Sequence, residues 1–204
     1  MRLIGKIPAE NNERKESLMR EGWQPLKESK RMAVVIGAAL PISILLFFIC
    51  GKWLYFLFPE FQEALQFEKI IFRIDLKLIL YMLGIYGYIL LHEIIHLLTI
   101  PNALSSDKTF FGINGFFGFV YSEEILTKAR FIIVSIMPLL QLSFVMPILF
   151  KVLNIYHGYW MMLFMINAAG ACVDIFNMIL VGWQVPSRGL VVGNGLATYY
   201  KATA

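Results

Sequence analysis

Residues 92–96 read His-Glu-Ile-Ile-His. Two histidines at i and i+4 share one face of a helix, so both imidazoles can reach a single zinc ion. Glu93 projects from a neighbouring position, where a carboxylate can serve as general base toward a water that zinc activates. The three residues sit inside an apolar run, YMLGIYGYILLHEIIHLLTI. Ionisable groups in such a run are costly within a bilayer and therefore point to a function or a partner.

A catalytic zinc site usually has three protein ligands and keeps one position open. Asp174, within NAAGACVDIFNMIL, is the better candidate for the third. The remaining histidine, His157, stands at the border of an apolar segment and reads as an interfacial residue. His92 follows Lys77 by 15 residues, and Asp174 follows Gly158 by 16. At about 1.5 Å per residue both groups lie roughly 23–24 Å into their helices, at a depth a shared metal would explain. Asn167 precedes Asp174 by two helical turns on the same face. It could donate to a substrate carbonyl or developing oxyanion, or hold a neighbouring helix.

These residues need helices to carry them. Hydrophobic residues make up 58% of the 204-residue chain and charged residues 16%. Soluble domains are nearer about 45–50% and about 25%. Mean hydropathy is +0.67. The composition reads as an integral membrane protein of one domain. The expected fold is all-α, with four transmembrane helices at 32–50, 77–100, 129–150 and 158–183. Pro41 should kink the first, and the third contains Pro138 and Pro147. A short surface helix is expected around Phe61, Leu65, Phe67 and Ile71. Residues 1–31 read as a polar lead-in, with Trp23 and Leu26 at the interface, and 184–204 as a tail. No cleavable leader is evident, so the first helix should remain in the membrane.

The net charge of +4 is no nucleic-acid signal, because the basic residues sit at the borders of apolar segments. Eight Lys/Arg precede the first span. They orient the N-terminus, and with four spans the C-terminus too, toward the cytoplasm, and the expected location is a bacterial plasma membrane. The loop between the second and third spans is then also cytoplasmic. Cys50 and Cys172 stand in apolar segments and read as small buried hydrophobes.

That loop, KTFFGINGFFGFVYSEE, carries Asn114-Gly115 between aromatic and β-branched residues, a hairpin signal centred on those two positions. The hairpin reads either as a structural plug or as an edge strand that pairs with an extended substrate, which makes Asn114 and Gly115 candidate substrate-binding residues.

With these motifs in place, the chain resembles the site-2-protease group of intramembrane metalloproteases. It looks still more like a bacterial family of small membrane proteins classed as zincin peptidases. The resemblance covers roughly residues 80–200 and rests on HEIIH, the hairpin, KARFIIVSIMPLLQL, NAAGACVDIFNM and PSRGLVVGNGLATYY. It implies zinc held by His92, His96 and Asp174, with Glu93 as base. The chain departs from the site-2-protease pattern where Gly170 replaces a proline and Ile175 follows the aspartate.

The function expected is a membrane-embedded zinc metalloendopeptidase acting on membrane or membrane-proximal proteins or peptides. Two alternatives stay open from the residues alone. One is a non-proteolytic metal-binding module. The other is a metal transporter, which the lack of a second set of polar ligands disfavours. Glu93 discriminates among them, since neither alternative needs a carboxylate next to the first ligand.

Overall fold

The structure, a computed structural model, describes residues 1–29, 31–64, 66, 75–114 and 117–203. Among these residues, four helical stretches are long and apolar enough to cross a membrane: Met32–Leu57, Leu76–Thr99, Lys128–Val152 and Gly158–Gln184. They coincide with the four runs expected from the sequence, the first extending past Cys50.

In chain order the elements are β1 (Arg2–Ile4), α1 (Asn12–Arg20), β2 (Gln24–Pro25), α2 (Met32–Leu57) and α3 (Pro59–Ala64). There follow α4 (Leu76–Thr99), β3 (Thr109–Asn114), β4 (Phe117–Ser122), β5 (Leu126–Thr127) and α5 (Lys128–Leu139). A π-helical segment, Leu140–Val145, joins α5 to α6 (Met146–Val152); α7 (Gly158–Gly170), α8 (Cys172–Gln184), β6 (Leu190–Asn194) and β7 (Ala197–Lys201) complete the chain.

Local chemistry sets the helix starts. The Asp75 carboxylate accepts from Leu78 N–H at 3.2 Å and opens α4. Thr127 does the same for α5 through Arg130 N–H. His157, expected as an interfacial residue, caps α7 by accepting from Tyr159 N–H at 3.2 Å. Such caps satisfy N–H groups that have no partner inside the helix. α2 runs through Pro41 as one helix. The fourth stretch instead breaks at Ala171, whose ψ of 4° leaves the helical range, so Asn167 and Asp174 lie on either side of a joint. Of the expected surface helix, α3 is present as far as Ala64; the part from Leu65 to Ile71 falls outside the described residues, apart from residue 66.

Buried residues from α2, α4, α7 and the π segment form the main core, among them Cys50, Leu54, Tyr88, Leu142, Met161 and Phe164. In a bilayer such packing rests on close approach and interhelical hydrogen bonds, since lipid tails are as apolar as leucine. Gly51 lets α2 come up to Met165 of α7, where an added Cβ would stand 3.2 Å from the methionine methyl. Ser143 Oγ donates to Phe164 O at 2.9 Å, and Tyr88 Oη to Leu142 O at 3.0 Å.

The chain is mostly helical, yet it holds more sheet than the single hairpin expected. One sheet has the order β1-β3-β4, the other β2-β7-β6-β5. The N-terminal lead-in supplies β1, parallel to β3, and β2, antiparallel to β7. Both terminal segments are therefore folded against each other. Trp23 and Leu26, read from sequence as interface anchors, are buried: Trp23 packs with Leu18, Val192 and Tyr199, and Leu26 with Val181, Val185 and Val191. Apart from Leu18, these partners lie more than 150 residues further on, beyond the reach of any local pattern. Tyr121 Oη accepts from Gly195 N–H at 2.6 Å, which joins β4 of one sheet to the β6–β7 turn of the other, and Arg14 of α1 pairs with Glu123 just after β4.

Candidate metal centre

His92 and His96 project from the C-terminal half of α4 and are 9% and 8% exposed. Asp174 projects from the first turn of α8. Their atoms converge as the sequence spacing requires. His92 Nε2 lies 3.1 Å from His96 Nε2 and 3.2 Å from Asp174 Oδ2, and His96 Nε2 lies 3.4 Å from Asp174 Oδ1.

The outward ring nitrogens decide what these atoms are. His96 Nδ1–H donates to Val134 O at 2.9 Å. On the other side, the Asn167 amide nitrogen donates to Pro138 O at 3.3 Å and to Ser143 Oγ at 2.8 Å. A carbonyl can only accept, so the nitrogen must face Pro138 and Oδ1 must face His92. His92 Nδ1–H therefore donates to Asn167 Oδ1 at 2.8 Å. In the neutral rings both Nε2 atoms are then lone-pair donors directed at each other and at a carboxylate.

Three lone-pair groups this close repel unless a cation lies among them. Two imidazoles and a carboxylate are a common zinc donor set, and tetrahedral zinc with ligand bonds of about 2.0–2.1 Å puts its donors about 3.3 Å apart. The separations here match that spacing. His92, His96 and Asp174 also form a group able to hold a metal ion. Asp174 keeps 28% of its side chain exposed, so the centre is open on that side.

Glu93 stands outside the donor set, on the side of α4 that meets β4. A Cβ placed on Gly118 would be 2.7 Å from Glu93 Cγ, a separation that only glycine permits. The Val120 backbone N–H is directed at the Glu93 carboxylate. The hairpin thus reaches the centre through its second strand. Its turn is not where the sequence suggested: Asn114 pairs with Phe117, which makes Asn114 the last residue of β3 and moves it off the turn centre. Gly115 lies outside the described residues. Asn167, read from sequence as either facing substrate or holding a neighbouring helix, has its amide engaged by His92, Ser143 and Pro138.

Two supports were missed in the sequence. The Val134 carbonyl was legible in principle, because Pro138 four residues later has no N–H to bond it. Ser143 was not, because its orientation depends on the π-helical register.

Two imidazoles on one helix and a carboxylate on another, with a glutamate just beside them, form a group able to hold a metal ion. The sequence profile of the family described as "Putative zincin peptidase" matches residues 85–190, just over half of the chain, and spans all of these groups. The protein belongs to that family, which makes zinc and peptidase chemistry its expected equipment. No curated protein and no solved structure matches the chain.

Proposed function

We propose that this protein is a membrane-embedded zinc metalloendopeptidase that hydrolyses peptide bonds of membrane or membrane-proximal proteins. The observation that supports this most is the convergence of His92, His96 and Asp174 on helices apolar enough to cross a bilayer, with Glu93 beside them and free of the donor set. Zinc, when bound there, supplies Lewis-acid activation of water and of the scissile carbonyl.

The chain's own residues do the rest. His92 and His96 present Nε2 because Asn167 and Val134 hold their Nδ1–H groups. Glu93 takes the proton of the attacking water at its carboxylate and returns it to the leaving amine. Gly118 and Val120 bring β4 up to that carboxylate. β4 is the edge strand of its sheet, on the side away from β1. A substrate segment unwound from a helix can add to that edge and so run past the base in extended form. Both termini and the hairpin gather at one end of the helices, which this reading places on the cytoplasmic side with the eight basic residues of the lead-in.

The decisive experiment compares wild type with Glu93→Gln. Both should carry about one zinc per chain. The variant should lose hydrolysis of membrane substrates, visible as uncleaved proteins in membrane proteomes, by several orders of magnitude. Loss of zinc from Glu93→Gln would make Glu93 a ligand and end the assignment of it as base.

A further inference from the structure

The Val134 carbonyl that holds His96 belongs to α5, and an interior helical carbonyl normally bonds the N–H four residues on. Here that residue is Pro138, which has none. Val134 O therefore lacks an intrahelical donor, and the N–H it receives comes from His96 Nδ1 at 2.9 Å. The same device recurs one segment later. Met146 N–H bonds Gln141 O in the π register, so the next carbonyl, Leu142 O, would look to residue 147, which is again proline. Leu142 O accepts instead from Tyr88 Oη at 3.0 Å, one turn before His92 on α4. Ser143 O, which Pro147 also deprives of an α-helical partner, is met by Cys50 Sγ at 3.7 Å. Both prolines thus release carbonyls that are taken up by side chains of neighbouring helices.

We propose that Pro138 is a positioning residue for the metal centre. By withholding an N–H it leaves the Val134 carbonyl turned out of α5, where it fixes the ring orientation and tautomer of His96. This rests on the zinc reading above. Partners of a ligating histidine set metal affinity by about 10–100-fold, because they hold the ring and raise its basicity. An alanine at 138 gives Val134 its own helical donor and draws the carbonyl back toward the helix axis, away from His96.

The test measures zinc affinity by chelator competition in the full-length detergent-solubilised protein. Pro138→Ala should bind zinc about tenfold or more weakly. Its apo form should melt no lower than wild type, since a helix interior gains a hydrogen bond when proline is removed. A second variant carries lactic acid at position 138. It has alanine's methyl group and a backbone ester oxygen in place of N–H, so it lacks both the ring and the donor. It should keep wild-type affinity. Wild-type affinity in Pro138→Ala would overturn the proposal, and so would equal loss in both variants, which would assign the effect to the ring. If Pro138→Ala did not fold, the ester variant would decide alone, retained affinity supporting the proposal and lost affinity ending it. Failure of the wild type to bind zinc would instead remove the metal reading itself.

Discussion

Gly118→Ala is a one-methyl perturbation aimed at Glu93 alone. The added carbon would lie 2.7 Å from Glu93 Cγ, 3.6 Å from Glu93 Cβ and 3.5 Å from Leu90 Cδ2. Carbon atoms rest about 3.5–4.0 Å apart. Only the first contact is therefore impossible, and relieving it needs about 1 Å of movement. Glu93 Cγ sits near the root of its side chain, so a terminal rotation does not help; either χ1 changes or β4 backs away. Both outcomes displace the carboxylate from the point where it meets the water. A misplacement of about 1 Å in a catalytic site costs on the order of 100-fold, equivalent to about 2.7 kcal/mol of barrier. The proposed zinc donors are held from other directions, by Asn167 and Val134, so metal affinity should not change. The assay pairs initial rates on a model membrane substrate with zinc content of the same preparation. Wild-type rates would refute the idea that Glu93 must be held at this contact. Joint loss of zinc and activity would show that the hairpin holds the helices together.

Asn167→Ala should weaken zinc binding by about 10–100-fold, because His92 Nδ1–H loses its acceptor; a zinc titration that shows unchanged affinity together with a raised KM would return Asn167 to the substrate. Tyr199 is fully buried and donates to Glu10, and burial with that carboxylate beside it raises its phenol above the usual value of about 10. The folded state then keeps a proton that the unfolded chain loses above pH about 10, so this contribution to stability is complete below that pH and falls as pH rises further. Tyr199→Phe should flatten the alkaline fall in melting temperature, and an unchanged alkaline slope would refute the coupling. Single cysteines at Ser17 and Ala202 should resist impermeant labelling from outside intact cells, and labelling of either would reverse the proposed orientation.

How much of this was legible beforehand follows from the range of each interaction. HEIIH declares itself because a helix repeats every 3.6 residues, so two ligands four apart share a face whatever the rest of the chain does. The four apolar stretches are equally local, since length and composition decide them. Asp174 was within reach because equal depth in two helices that cross in the same direction is arithmetic on residue numbers. Other features had no local signature. Trp23 and Leu26 look like interface anchors until the strands at 190–201 close over them. Asn167 can be read either as a substrate donor or as an interhelical contact until Ser143 and Pro138 arrive from the third span and use its amide. The one-residue displacement of the hairpin turn reflects pairing of Asn114 with Phe117, a register chosen by the whole sheet. The sequence by itself thus determined which residues are candidates to carry the chemistry, through periodicity and hydrophobic length. Only the tertiary structure decided which groups orient them, because hydrogen-bond partners on separate helices are selected by packing, and packing is set by the entire chain at once.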